Sequence, residues 1–369
     1  MRRALLRWFY IHKRSLPWRA SSDPYSVWVS EVMLQQTQVA TVVPYYLRFL
    51  NAFPTVDDLA RAPLERVLQL WSGLGYYRRA RQLHAAARTV VEKFDGRFPA
   101  TLQDARQLPG VGNYTAAAVL SIAYGLALPA LDGNVARVVA RLEALPGSLA
   151  ESAFRRKIEA KLAGLFTGAV VGRHNDWNRG DLNQALMELG QTICLPKAPQ
   201  CPVCPVRAAC RGRASRRPEA FPSPRPRRAS EEHHLAAAVI LSPADARRSR
   251  VRGSVNGRGS VLLARGLDHG LMEDLWNFPS AFGASAAEAR ARLETRLADL
   301  CGAPAALGAE IARVRHSVTY RQIHVRVYRG FLNDPPPAGF RWLPASEFGR
   351  AAVSQLTRKI AAASSTALN

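Results

Sequence analysis

Apolar residues recur three and four positions apart along Asp58–Leu70, Arg79–Lys93, Tyr114–Tyr124, Val135–Leu145, Phe154–Leu165 and Leu182–Ile193. That period gathers them on one face of a helix, and Gly and Pro punctuate the intervals. Residues 1–210 are therefore predicted to be an all-helical domain, its first helix starting almost at Met1. The pattern changes from His234 onward. Short apolar runs at His234–Leu241, Ser260–Ala264, Ile323–Phe331 and Phe340–Leu343 predict strands. Ala286–Leu300 and Ser354–Ala363 keep the helical period, so residues 233–369 form a smaller α+β domain. Between the two lies a linker, 211–232. Its Arg211–Arg228 stretch holds seven Arg and four Pro with little apolar content, which predicts an extended basic tether. Arg247–Gly259, rich in Arg, Ser and Gly, reads as a hairpin loop.

Composition narrows the class. Of 369 residues, 48% are hydrophobic and 21% charged, ordinary globular values that exclude a wholly disordered chain. No apolar run approaches the roughly 18–20 residues that a membrane helix needs. The basic start, Met1–Trp8, lacks the long apolar core of a signal peptide. A cytoplasmic protein is expected, with no membrane partner. Lys and Arg number 51 against 28 Asp and Glu, a net charge of +23. The excess points to a polyanion, nucleic acid first, although an Arg-rich genome would produce the same balance.

Four of the five cysteines fall in one run, Cys194, Cys201, Cys204 and Cys210, spaced C-x6-C-x2-C-x5-C. In a reducing compartment such a run is a metal site rather than a disulfide framework. Zinc and an iron–sulfur cluster both accept thiolates at loop spacings. A single C-x2-C knuckle with two outlying Cys suits a cubane cluster better than paired zinc knuckles. Pro196, Pro199, Pro202 and Pro205 stiffen the loop. Lys197, Arg207 and Arg211 give its surface cations for phosphate.

Leu108-Pro109-Gly110-Val111-Gly112-Asn113-Tyr114-Thr115-Ala116 reads as a helix, a glycine hairpin and a second helix start. Gly110 and Gly112 permit a close phosphate approach, with the amides of Val111–Thr115 at a helix N-terminus to receive it. Twenty residues past Gly112 stands Asp132. By itself it could be a helix cap for Val135 onward.

Together these features resemble the helix–hairpin–helix DNA glycosylase superfamily with a [4Fe-4S] cluster. Leu16-Pro17-Trp18-Arg19, Ser30-Glu31-Val32-Met33-Leu34-Gln35-Gln36-Thr37-Gln38-Val39, Gly73–Arg81 and Leu131-Asp132-Gly133-Asn134-Val135 are similar to the adenine DNA glycosylase (MutY-type) family. The resemblance is dense over 1–210 and looser beyond. It implies a helical glycosylase domain with a hairpin at 108–116 and a cluster loop at 194–210, then a Nudix-like lesion-recognition domain. The implied partner is double-stranded DNA with adenine opposite 8-oxoguanine or guanine, bound by a monomer.

The resemblance also implies roles. Glu31 is the general acid that protonates adenine N7, its acidity weakened by apolar neighbours. Asp132 stabilises the sugar cation and guides water. Tyr114 and Asn134 orient these carboxylates. Tyr114 stands where the related endonuclease III enzymes carry a Schiff-base Lys, so a monofunctional enzyme without efficient lyase activity is expected. Because the base must leave the duplex, Gln36 is the wedge beside its orphaned partner and Tyr76 the intercalating aromatic. Trp18, Arg19 and Gln184 form the adenine pocket. Cys194, Cys201, Cys204 and Cys210 ligate the cluster.

In the second domain, Gly270–Pro279 resembles the family's G-L…LWEFP segment, with Glu273 and Asp274 where small or apolar residues are common. The stretch after Phe278, through Arg290, Glu294 and Arg296, lacks the paired Glu that a Nudix pyrophosphatase uses for Mg²⁺, so binding is expected rather than hydrolysis. His316-Ser317-Val318-Thr319-Tyr320-Arg321 replaces the family's Phe-Ser-His or Phe-Thr-His loop. Thr319 keeps a hydroxyl for the oxidised base, while the His is Tyr320, with His316 and His324 nearby. Two alternatives remain from the residues: a thymine or uracil mismatch glycosylase of the same superfamily, and a non-catalytic DNA-lesion binder.

Overall fold

A computed structural model of the chain describes residues 1–167, 179–224, 229–242, 259–266, 275–301, 307–318, 320–332, 339–349 and 351–367. The helices in chain order are α1 (Arg2–His12), α2 (Pro24–Leu34), α3 (Val39–Ala52), α4 (Val56–Arg61), α5 (Leu64–Trp71), α6 (Arg78–Lys93), α7 (Leu102–Ala105), α8 (Asn113–Tyr124), α9 (Gly133–Leu142), α10 (Ser152–Phe166), α11 (Arg179–Thr192), α12 (Arg211–Ala214), α13 (Ala286–Cys301) and α14 (Gln355–Ala367). The strands are β1 (Glu231–Ile240), β2 (Ser260–Arg265), β3 (Trp276–Asn277), β4 (Ser280–Gly283), β5 (Leu307–Val318), β6 (Arg321–Gly330) and β7 (Phe340–Pro344). Two compact units result. One contains residues 1–62 and 78–227, the other 63–77 and 228–369.

The first unit is helical. Asp23 caps α2 by accepting from the Ser26 amide at 2.8 Å, with Pro24 in the first turn, where a missing N–H costs nothing. Thr55 and Asp58 form a reciprocal capping box on α4. The central α8 is buried from Thr115 to Ser121. Phe9, Val138, Val139, Ile158 and Leu186, from α1 and α9–α11, close a core around it. The Ala116–Ala118 run keeps α8 thin, and Gly180 lets α11 cross it closely. A Cβ on Gly180 would lie 2.4 Å from the Ser121 carbonyl oxygen.

The second unit has a four-stranded sheet ordered β4-β1-β6-β5 and a three-stranded sheet ordered β3-β2-β7. β1 runs parallel to β6 and antiparallel to β4, and β5 and β6 form an antiparallel hairpin. On one face Ala236, Ala238 and Ile240 pack under Ala289, Leu293 and Leu297 of α13. On the other, Leu235, Ala237 and Val239 share a core with Leu356 and Ile360 of α14. The α5 segment belongs here: Glu65 accepts from Trp276 Nε1 and Arg341 Nη1, and Ser72 donates to the Val353 carbonyl at 2.8 Å.

Four expectations change. The helix expected over Asp58–Leu70 breaks into α4 and α5, because Pro63 drives Ala62 into extended backbone (ψ 144°). β5 was not expected: register shifts between Leu307 and Ala312 break its two-residue period, and Arg313 and Arg315 are exposed. The tether expected from Arg211 is instead folded onto the helical unit as far as Pro224. Arg141 Nε donates to the Phe221 carbonyl, the Ser223 amide donates to Gly147, and Phe221 packs on the core. Arg79, one of the cations whose excess pointed to a polyanion, is 7% exposed. Its guanidinium donates to the carbonyls of Val32, Met33 and Gln35 and to Thr37 Oγ1, closing the C-terminal end of α2. The Arg247–Gly259 hairpin and residues 270–274 lie outside the described residues, apart from Gly259.

Removing the Arg79 fork would leave buried carbonyls unpaired. We expect Arg79→Met to lower unfolding stability by about 3 kcal/mol, measured by urea denaturation. The exposed Arg78→Met should be nearly neutral.

Candidate active site

The hairpin at 108–116 lies between α7 and α8. Gly110 has φ +77°, and a Cβ there would meet the Gln82 side chain at 2.7 Å, so both backbone and space demand glycine. Gly112 is different. Its backbone is ordinary extended chain and a Cβ would meet nothing within 4 Å, so no neighbour in the protein requires glycine there. No side chain caps the first turn of α8, which leaves donors suited to an anion. Val111 is buried and its amide donates to the Leu108 carbonyl. That amide is therefore part of the turn and not one of the outward donors expected from the sequence.

Tyr114 at the start of α8 meets Glu31 of α2, donating from Oη to Oε2 at 2.7 Å. Glu31 is 6% exposed, flanked by buried Val32 and Met33. Burial pushes its carboxyl up to about 7. The Tyr114 hydrogen bond pulls it down, Asp132 pushes it up and Arg19 pulls it down. Burial also holds the Tyr114 phenol well above its ordinary value, so it stays a donor. Asp132 is the cap of α9, as the simple reading of the sequence had it. Oδ1 accepts from the Val135 amide at 2.7 Å, and Oδ2 accepts from Asn134 Nδ2 at 2.8 Å. The cap and its neighbour fix the carboxylate's direction. A groove of about 640 Å³ runs beside it, lined in part by Arg106, Asn113, Tyr114, Asp132 and Arg155.

Glu31 also lines a narrow cavity of about 40 Å³ with Arg14, Trp18, Arg19, Gln184 and Glu188. Trp18 is buried edge-on to Tyr46. Arg19 Nε donates to Gln184 Oε1 at 3.2 Å. Glu188 was missed by sequence reasoning. It sits one turn after Gln184 on α11, and that i,i+4 relation was the available signal. Its partners, Arg14 and Arg19, are remote in sequence.

The four cysteines of 194–210 converge on one cavity with Val138, Leu142 and Ile193. Arg141 Nη1 lies 3.4 Å from Cys194 Sγ and 2.6 Å from the Leu195 carbonyl oxygen. Burial pushes the Cys204 thiol up to about 11, and the other thiols add to the rise. Among the described residues no group of three or more His, Cys, Asp or Glu side chains is gathered as ligands of a single ion. Four thiols lining one cavity, with an arginine donor beside them, offer the donor chemistry that an iron–sulfur cluster takes. Arg137 joins this loop to the carboxylates. It donates to the Cys194 carbonyl at 2.8 Å and to Asn134 Oδ1 at 3.0 Å, and Asn134 in turn donates to Asp132.

Gln36 follows α2 in left-handed backbone (φ 57°) and is exposed. In the second unit Tyr76 is also left-handed (φ 50°) and 44% exposed. Such backbone is costly for these residue types. Its loop is braced by Trp71 Nε1 donating to Gly75 and by the Gly73 amide donating to Tyr77. Thr319 lies outside the described residues. Val318 and Tyr320 flank it between β5 and β6. His316 is buried in β5 and His324 sits in β6, 3.3 Å from Glu232. On α13, Glu288 and Glu294 pair with Arg292 and Arg290.

The Glu31 carboxyl titrates near 7 when folded and near 4.5 when unfolded. Its contribution to stability is therefore greatest at low pH and is lost as pH rises between those values. We expect Glu31→Gln to be more stable than the parent at pH 8, by about 3 kcal/mol. The gap should close toward pH 4.5 in urea titrations.

Residues 29–163 match the HhH-GPD superfamily base excision DNA repair proteins, and residues 252–363 match the NUDIX domain. The adenine DNA glycosylase of Mus musculus is 37% identical, covering 96% of this chain and 76% of its own. That of Homo sapiens is 36% identical, covering 97% and 73%. Among solved structures, a thermostable thymine-DNA glycosylase is 27% identical with TM-score 0.50, covering 58% of this chain and 95% of its own. By these matches, and by its helical hairpin unit joined to a Nudix-like one, the chain belongs to the adenine DNA glycosylase family.

Proposed function

We propose that this enzyme, a DNA N-glycosylase, hydrolytically removes adenine mispaired with 8-oxoguanine or guanine, without efficient lyase activity. The observation that carries the reading is the buried Glu31 carboxyl, hydrogen-bonded to Tyr114 and lining one cavity with Trp18, Arg19 and Gln184. Raised to about 7, it holds a proton in a large share of molecules near neutral pH, as an acid for a purine leaving group must.

In this reading the duplex is held by the hairpin donors around Gly110 and Gly112, Gln36 fills the gap beside the orphaned base, and Tyr76 stacks next to it. The extruded adenine enters between Trp18 and Arg19. Gln184, able to donate and accept, meets its polar edge. Glu31 gives its proton to N7, and the C1′–N9 bond breaks with its electron pair going to the base. Asp132 faces the sugar cation and orients the water that adds to C1′, the displaced proton passing to a carboxylate. Asn134 and Tyr114 hold the two carboxylates apart in task. Tyr114 has no amine to form an imine with C1′, which supports a hydrolytic, monofunctional outcome. Cys194, Cys201, Cys204 and Cys210 would hold a [4Fe-4S] cluster, which would cross-link the 194–210 loop at four points. Thr319 supplies the hydroxyl for 8-oxoguanine.

An adenine:8-oxoguanine duplex tests the reaction. Strand scission is expected only after alkali, and Glu31→Gln should slow adenine release about 10²–10⁴-fold with duplex binding retained. Efficient borohydride trapping would overturn the monofunctional reading. Thymine release from a thymine:guanine duplex in its place would favour the mismatch glycosylase, and binding without release of any base the lesion binder. Thr319→Ala should narrow the rate difference between 8-oxoguanine and guanine partners. An undiminished preference would remove Thr319 from the role.

The cofactor assignment is checked by analysis of protein purified without oxygen. We expect iron and acid-labile sulfide each at about four per chain. Zinc without sulfide would overturn it.

A further inference from the structure

Glu188 carries more hydrogen bonds from charged donors than any carboxylate the proposed mechanism uses. Its side chain is 1% exposed. Arg14 engages it through two nitrogens, Nε to Oε1 at 2.6 Å and Nη2 to Oε2 at 2.9 Å. Arg19 Nη2 reaches Oε2 at 2.8 Å. Arg14 also donates to Gln191, and its carbonyl accepts from Arg19 Nη1 at 3.0 Å. The two guanidinium groups are thus locked to one carboxylate, and that of Arg19 also to the Arg14 backbone. Arg19, held this way, directs Nε at Gln184 Oε1, while Phe9 supports its face at 5.3 Å. A buried carboxylate is costly unless paired. Burial pushes Glu188 up, but the bonds and charges of Arg14 and Arg19 outweigh it and hold the carboxyl below its ordinary value. It is therefore an anion, on the same cavity wall as Glu31.

We propose that Glu188 is a positioning residue for base excision: it fixes Arg19 and Gln184 against the leaving base and balances the arginine charge that faces the Glu31 carboxyl. This rests on the reading of Glu31 as the acid. Several groups face Glu31. Arg19 comes from the Pro17–Arg19 turn, Tyr114 from α8 and Asp132 from the cap of α9. Arg79 comes from α6 onto the Val32 and Met33 carbonyls, and Tyr46 from α3 lies beside Trp18. Of these, Arg19 is the cation acting on the Glu31 carboxylate itself. With Glu188 ionised, its attraction for Glu31⁻ is offset. Without that anion, Arg19 is left uncompensated and favours the ionised form of Glu31, and the acid loses its proton at lower pH.

The test is Glu188→Gln in the full chain. The variant keeps the shape and one acceptor but removes the charge. Single-turnover adenine release is measured against pH on an adenine:8-oxoguanine duplex, with duplex affinity and thermal unfolding in parallel. We expect release at pH 7.5 to fall about 10–100-fold, and its alkaline limb to move down by about half a unit or more. Duplex affinity, set by phosphate contacts elsewhere, should change little. Glu188→Asp, which restores the anion but reaches fewer nitrogens, should return the limb toward the parent while the rate recovers only in part.

A lowered rate with an unmoved limb in Glu188→Gln would reduce Glu188 to a packing role and overturn the proposal. So would full activity. The Glu31 titration is read separately by ¹³C NMR of labelled glutamate carboxyls, with Glu31→Gln assigning the signal. If the parent released no adenine at any pH yet that titration moved down in Glu188→Gln, the adenine reading would fail while the charge balance stood. An unmoved titration would overturn the charge balance itself.

Discussion

Burial of the Glu31 carboxyl, with Tyr114 as its hydrogen-bond donor, is the constraint around which the helical unit is arranged. An isolated carboxylate in that position would be expensive. The fold lowers the cost by pushing the carboxyl up to about 7, so that near neutral pH a large share of molecules keeps the protonated state an acid catalyst needs. The stability lost at higher pH is thus tied to the chemistry: the same desolvation that strains the ionised form readies the proton. Asp132 is treated in the opposite way. It stands at a helix N-terminus, with a backbone amide and the Asn134 amide on its two oxygens. Two carboxylates a short distance apart are given different environments and so different tasks.

The cationic surplus has a second use besides attraction to a polyanion. Arg14, Arg19, Arg79, Arg137 and Arg141 are committed to carbonyls, side-chain amides, one carboxylate and a thiol. Arg79 closes α2 just before the exposed Gln36. Arg137 ties Asn134 to the Cys194 backbone, and Arg141, 3% exposed, gathers Cys194, Leu195, Pro196 and Phe221. A planar guanidinium can satisfy several carbonyls at once, which a lysine cannot. Arginine here serves as a clamp between segments far apart in sequence, and a net charge of +23 overstates the cations left for DNA phosphates.

In the second unit, small residues of β1 allow α13 to lie close on one face while Leu356 and Ile360 close the other. The sheet is thereby fixed from both sides, and the β5–β6 hairpin extends from it with Val318 and Tyr320 at its turn. The α5 segment is joined to this unit through Glu65 and Ser72. Tyr76 therefore stands on a loop braced within the Nudix-like unit rather than within the helical one.

Much was decided by the sequence alone. Helical periods located most of the first unit, because an apolar stripe must be buried whatever its partner. The hairpin glycines, the clustered cysteines, Glu31, Asp132 and Tyr114 were legible because local spacing or motif carries them. Pro63 also carries a local break signal, but the helical period over Asp58–Leu70 concealed it. Tertiary structure decided what depends on residues distant in the chain. The Glu31 acidity depends on what excludes water from it. β5 exists because β6 pairs with it, despite its own broken alternation. The 211–224 segment is folded because Arg141 and Gly147 offer it partners. Whether an arginine faces solvent or a buried carbonyl, and that Glu188 holds two of them, follows only from packing. Periodicity along a chain records which face is apolar, and no local pattern records which remote group will meet it.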